Sequence, residues 1–348
     1  MHNLNLDDRK GALHTYMMNV KFILIALVVT ANMLEPVVSR NASAYALYEA
    51  IYLFHIPVFV LVMGYLARES RLVQGDQVKH LMIIAYQYVL FQSLYTLADA
   101  SFFHAEGILH SFFMPYSLLW FLCSHFCWKL LLPLFLKLRY PLTASILLGV
   151  AVGYIPWDGS WISLSRTFVF FPFFLIGYRM RRSGSWQAAA RHCRPIAIVC
   201  AAAVTTALLL GLRLDPGWLY GSLTFTELGQ HSWYAGIYRL GIYALEAGAA
   251  VCFLACVPWR SSMLTDWGKR TLFVFLLHGF IVKAVIAAGW LQSLDGSIWT
   301  IPLLIGAAFA LTLTLSHPRV ELVAKGWMEP AAAWPLKGMP GRSQRTTK

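Results

Sequence analysis

Three features of the sequence predict an all-α, polytopic membrane protein of about ten transmembrane helices with both termini cytoplasmic. Hydrophobic residues make up 58% of the 348-residue chain and charged residues only 13%, against roughly 25% charge in a soluble domain. Apolar runs of spanning length recur from residue 17 to residue 317, each long enough or nearly long enough to cross a bilayer. Lys and Arg then gather in alternate joins between those runs, as cytoplasmic loops require.

The first span, about 17–37, organises the rest. It reads NVKFILIALVVTANMLEP, and between Lys21 and Glu35 only Thr30 and Asn32 are polar. Lys21 and Asn32 are three helical turns apart, so they share a face at a separation of roughly 16 Å along the axis. Glu35 follows one turn beyond Asn32, near the same face. Ionisable groups at membrane depth are expensive, and they face a protein interior or a wet cavity.

The remaining spans fall at about 47–66, 78–98, 117–136, 141–156, 166–180, 195–212, 237–257, 271–290 and 299–317. The fifth and sixth are short, and the Gly/Pro/Trp-rich GYIPWDGSW between them reads as an outer loop dipping into the bilayer. Residues 102–116 read as an interfacial or re-entrant link. No internal repeat is visible, so the expected organisation is one transmembrane domain over 1–318 and a polar cytoplasmic tail over 319–348.

The basic residues set the orientation. Of the 28 Lys and Arg, 21 fall on the N-terminal side, in alternate loops or in the tail. The outer ends hold Arg40, Arg166, Arg213 and Arg239, while Lys21, Lys129 and Lys283 lie within spans. The net charge of +12 is therefore a topology signal with attraction to anionic lipid, and it excludes a nucleic-acid footprint. The six cysteines sit in or beside apolar helices without a C-x-x-C pair or a His at metal spacing. They read as small core residues, and no metal is expected. The Asn-Ala-Ser sequon at Asn41 reads as a chance occurrence.

Polar residues recur at the outer ends of spans. Asn32 and Glu35 close the first, His55 in FHIPVF lies about two turns into the second, Arg166 opens the sixth and Arg239 opens the eighth. These are expected to converge on an outward-facing polar pocket. From the inner side, His278 in TLFVFLLHGF enters the ninth span. An outer aromatic set (Trp157, Trp161, Trp218, Tyr220, Trp233 and Tyr234) suits either a sugar-stacking platform or a headgroup-level belt.

The pieces NVKFILIALVVTANMLEP, FHIPVFVLVMGYLAR, LWFLCSHFCWKLLLP, SRTFVFFPFFLIGYRMR and GKRTLFVFLLHGFIV, in this order between residues 19 and about 290, resemble the acyltransferase-3 superfamily of membrane acyltransferases. The similarity is to the branch containing the fucose-4-O-acetylase-like proteins. The resemblance implies a ten-helix enzyme of the bacterial inner membrane. Such an enzyme takes an acyl group, in the simplest case acetyl, from cytoplasmic acyl-CoA and passes it to a hydroxyl of a sugar, glycolipid or cell-envelope polysaccharide.

In that family the first-span motif is a basic residue, ten intervening residues and a His. Lys21 matches the basic end and is expected to meet the CoA phosphates, with Arg68, Arg71, Arg179, Arg181 and Arg182 as further candidates. Asn32 stands at the His position, Ala31 where Gly is usual, and Met63 where Ser ends the second span. An amide cannot take a proton as imidazole does. One reading therefore gives the base role to His55, oriented by Glu35, with Asn32 positioning the acceptor or polarising the thioester carbonyl. Arg166, Arg239, Trp120 and His278 complete the expected acceptor pocket. The alternative is a chain that keeps the fold without catalysis and serves glycan or lipid export or assembly. A solute transporter is a weaker reading, because no inverted pair of broken helices is visible.

Overall fold

The computed structural model describes residues 6–67, 75–103, 111–156, 159, 161–183, 194–291, 294 and 299–329. Arg68, Arg71, Trp157 and the tail from 330 onward lie outside them, as does part of the 102–116 link. Among the described residues the chain is helical, with one isolated two-residue bridge and no strand.

The long helices follow the apolar runs. They are α1 (Leu6–Leu34), α2 (Ala42–Tyr52), α3 (His55–Leu66), α4 (Gly75–Ala98), α5 (Trp120–Phe135), α6 (Pro141–Ala151) and α7 (Leu164–Ser183). Then come α8 (Arg194–Leu209), α9 (Ala235–Cys256), the short α10 (Met263–Gly268), α11 (Thr271–Ala287), α12 (Thr300–Leu315) and α13 (Pro318–Met328). Each of the ten expected spans is helical. Among the described residues six segments are long and apolar enough to cross a membrane, or seven if α12 and α13, bent by 65°, form one span. The segments around α6, α8 and α11 are apolar but shorter. The beginning of the expected tail is thus a helix, α13, held to the bundle by Arg270 Nε donating to Glu321 at 2.8 Å.

Local chemistry explains several boundaries. Asn41, the sequon residue, caps α2 by accepting the Ala44 N–H at 2.9 Å, as N-cap side chains do. The second apolar run breaks at Leu53–Phe54, just ahead of Pro57. Proline lacks the N–H for the helix ladder and disfavours helical backbone in the residue before it. The break puts His55 in the first turn of α3. Cys200 is exposed on α8 rather than a core residue, while the other described cysteines are half-buried.

α1 and α7 are the two axes of the bundle. The N-terminal half of α1 is fastened to a much later part of the chain. Asn19 donates to the carbonyls of Pro258 and Arg260 at 2.9 and 3.0 Å and accepts from Thr265 Oγ1 at 2.7 Å. Tyr16 donates to the Leu254 carbonyl at 2.6 Å. α7 packs backbone to backbone against α3, with Gly64 against the Phe174 carbonyl and Gly177 against the Leu61 carbonyl. Small residues permit this close approach between membrane helices. On its other side α7 meets α5, where Trp128 Nε1 donates to the Thr167 carbonyl at 2.7 Å and Ser124 pairs with Thr167 at 2.8 Å.

A β-carbon at either glycine would collide with main chain, which cannot swing aside. Gly64→Val and Gly177→Val should each destabilise the α3–α7 pair by roughly 1–3 kcal/mol. Thermal unfolding of the detergent-solubilised protein should show both well below the parent, whereas Gly248→Val, at an open position on α9, should unfold near it.

Candidate functional site

Between the two axes lies a cavity of about 260 Å³, close to the lower end of the range for small-molecule sites, roughly 300–1,000 Å³. Val28, Asn32 and Glu35 come from the end of α1, and Tyr48, Tyr52, His55, Ile56 and Phe59 from α2 and α3. Ser117, Leu118, Trp120 and Phe121 come from the start of α5, Arg166 from α7, Tyr220 from an outer turn and Phe275 from α11. A second compartment of about 20 Å³, room for one water, shares Asn32, Glu35, Ser117 and Leu118 and adds Lys283.

Asn32, His55 and Arg166 are each held by a backbone carbonyl. His55 is 5% exposed and its Nδ1 lies 2.8 Å from the Ile51 carbonyl, one turn back. A carbonyl can only accept, so Nδ1 carries the proton and Nε2 of the neutral ring is a lone pair. Among the described residues that Nε2 has no hydrogen-bond partner. Tyr52 packs edge-on to the imidazole at 4.7 Å. The ring is therefore oriented by Ile51 and Tyr52, not by the expected Glu35, which stands exposed at the cavity wall within electrostatic reach of Lys283.

Arg166 stacks over Trp120 at 5.0 Å and donates from Nε to the Tyr220 carbonyl at 3.3 Å. Tyr220 and Tyr48 share a hydrogen bond at 3.1 Å between their hydroxyls. Tyr220 lies outside the spanning helices, and burial pushes its phenol up. It is therefore neutral at physiological pH.

The approach to α5 is fixed by Gln92, buried on α4. Its amide nitrogen donates to the Ser111 and Met114 carbonyls at 2.9 and 3.0 Å, and its oxygen accepts from the Tyr116 N–H at 2.8 Å. The next residue, Ser117, is pressed into left-handed backbone with φ 43°. Strain of this kind gathers at ligand clamps and active sites.

Six of the residues singled out from sequence share this cavity: Asn32, Glu35, His55, Trp120, Arg166 and Tyr220. His278 is fully buried behind Asn32 rather than on the wall, with 3.3 Å between its Nε2 and the Asn32 amide nitrogen. Arg239 lies elsewhere, buried with Nη1 donating to the Trp218 carbonyl at 2.6 Å and its guanidinium 5.4 Å over the Trp218 ring. Lys21 is half-buried on the same unbroken helix as Asn32, so their separation of about 16 Å stands, and it is not part of the wall. Among the described residues of the outer aromatic set, Tyr220 alone lines the cavity; Trp161, Trp233 and Tyr234 are exposed.

Sequence reasoning missed Tyr48, Tyr52, Ser117 and Lys283. Tyr48, Tyr52 and His55, at spacings of four and three, form a readable helical stripe, whereas Ser117 has no local signal. Among the described residues no group of three or more His, Cys, Asp or Glu is placed to hold a metal ion.

These residues sit inside a recognisable sequence family. The chain belongs to the acyltransferase-3 family, whose profile, described as an acyltransferase domain, matches residues 14–317. It is an enzyme that transfers acyl groups. It is similar to the nodulation protein NolL of Sinorhizobium fredii (strain NBRC 101917 / NGR234), with 28% identity over 292 residues and 76% of each chain covered. No solved structure matches the chain.

Left-handed backbone costs a side-chain-bearing residue about 1–2 kcal/mol, most for a β-branched one. Ser117→Gly should unfold at or above the temperature of the parent and Ser117→Val below it. The reverse order in a thermal scan would show that the turn is not strained.

Proposed function

We propose that this protein is an O-acyltransferase of the bacterial inner membrane. In this reading it crosses the bilayer ten times with both termini cytoplasmic, 1–318 as the transmembrane domain and 319–348 as a cytoplasmic tail. It moves an acyl group, most simply acetyl, from acyl-CoA to a hydroxyl of a sugar, glycolipid or envelope polysaccharide. The observation that carries this reading is the open Nε2 lone pair of His55 in a cavity that also holds a guanidinium.

Acyl transfer to an alcohol needs a base beside the hydroxyl and a donor beside the developing oxyanion. His55 Nε2 takes the hydroxyl proton as the alcohol oxygen attacks the thioester carbonyl carbon. Arg166, already braced by Trp120 and Tyr220, faces the oxyanion. The C–S bond then breaks, and the imidazolium returns its proton to the departing CoA thiolate. The products are the ester and free CoA.

The rest of the cavity suits a carbohydrate. Trp120, Tyr48, Tyr52 and Tyr220 give flat aromatic faces for sugar C–H surfaces beside hydroxyls for its polar edge. The volume suits one ring, with the rest of a longer acceptor outside. On the cytoplasmic side Lys21, about three turns from Asn32, is placed for an anionic phosphate while an extended pantetheine arm spans the distance. Arg181 already donates from Nη1 to the Ala67 carbonyl at 2.9 Å, which ties the inner ends of α7 and α3 together near the same entry.

Purified protein in nanodiscs should release CoA thiol from acetyl-CoA only when a membrane-glycan extract is added. His55→Ala should lower that rate by roughly 10²–10⁴-fold, and Arg166→Ala by roughly 10²–10³-fold, both with the fold intact. Lys21→Glu should raise the acetyl-CoA concentration needed for half-maximal rate. Full activity in His55→Ala would contradict the assignment of the base.

A further inference from the structure

Asn32 stands at the wall of the cavity with its amide nitrogen fully committed. One hydrogen goes to the Val28 carbonyl at 3.0 Å and the other to His278 Nε2 at 3.3 Å. His278 can accept because its own Nδ1 lies 2.8 Å from the Val274 carbonyl, so that nitrogen is the donor and Nε2 the lone pair. Turning the amide over would set Oδ1 against two acceptors at once, so the hydrogen-bond network assigns this orientation. The group left for the cavity is therefore Oδ1, an acceptor with no partner among the described residues.

A single reacting hydroxyl has one hydrogen. It cannot give that hydrogen to His55 Nε2 and to Asn32 Oδ1 together. We propose that Asn32 is a specificity residue that accepts a hydrogen bond from a second donor on the acceptor, a neighbouring hydroxyl or amide N–H, and that His278 is the positioning residue that holds its amide in that orientation. This deepens the function proposed above and rests on it. The preferred acceptor is then a sugar ring with at least two free donors, one acylated and one read. Asn32 supplies no hydrogen bond to the oxyanion, because both of its amide hydrogens are already engaged.

His278 is well built for this duty. It is fully buried, and its ring lies on α11 beside Phe275, which itself lines the cavity. Neither histidine nitrogen is open to substrate: one bonds its own helix and the other bonds α1.

The test uses the glycan-dependent release of CoA thiol in nanodiscs, with the extract titrated to separate half-saturation from maximal rate. Loss of one hydrogen bond to the acceptor is expected to raise the half-saturating amount about tenfold in Asn32→Leu, with the maximal rate within about threefold of the parent. His278→Phe should do the same, His278→Gln should recover much of the loss by offering an amide oxygen to Asn32, and the Asn32→Leu/His278→Phe double variant should be no worse than Asn32→Leu alone. Additive losses, or a fall in maximal rate comparable to that of His55→Ala, would overturn the proposal. An inactive parent would instead overturn the acyltransfer reading beneath it.

If His278→Phe does not fold, the ¹⁵N signals of histidine-labelled parent decide, with His278 assigned by difference from His278→Gln. An unprotonated, hydrogen-bonded Nε2 supports the proposal. A protonated Nε2 overturns it, because the amide would then have to turn its oxygen away from the cavity.

Discussion

A polar side chain within a bilayer must find its partner inside the protein, since hydrocarbon offers none. Much of the site follows from that constraint. His55 and His278 lie on different helices, yet each gives its Nδ1 hydrogen to the carbonyl four residues earlier. The same device fixes both tautomers and leaves both Nε2 lone pairs free for other work. One lone pair opens on the cavity, and the other is spent on Asn32. Two imidazoles of equal intrinsic basicity thereby acquire different duties, decided by what stands in front of each ring.

The packing serves the same end. α1 must hold Asn32 at one depth, and its N-terminal half is tied by Asn19 and Tyr16 to residues more than 230 positions later. α7 must hold Arg166, and it is clamped between the glycine contacts with α3 and the Trp128–Thr167 bond with α5. Gln92 adds a third support by fixing the turn that leads into Ser117 and Trp120. The cavity is the gap these rigid pieces leave, which is why it carries polar groups whose geometry is already set before any ligand arrives.

Much of this was legible in the sequence, and the reasons are physical. Hydropathy placed the helices because a helix that spans hydrocarbon has few alternatives. The convergence of Asn32, Glu35, His55 and Arg166 followed from their common depth at the outer ends of spans. Depth alone could not say which way a side chain turns, so Arg239, at similar depth, folds back onto Trp218 instead. Tyr48 and Tyr52 drew no functional reading from sequence, because a phenol's ring outweighs its hydroxyl in any hydropathy pattern. The bond between Asn32 and His278 joins residues 246 apart and depends on the packing of α1 against α11, for which no local pattern exists. The substitution of an amide for an imidazole at Asn32 looked like a lost base from sequence; in three dimensions an imidazole stands directly behind the amide and turns it into an oriented acceptor.

His55 offers an open imidazole lone pair to the cavity, while that of His278 is occupied by Asn32. Carbethoxylation by diethyl pyrocarbonate reports this directly, because the reagent attacks an unprotonated, accessible ring nitrogen. In the nanodisc-embedded parent, peptide mass spectrometry should show modification at His55, slowed by acetyl-CoA together with glycan extract, and none at His278. Modification of His278 as readily as His55, or a His55 that never reacts in folded protein, would contradict the account.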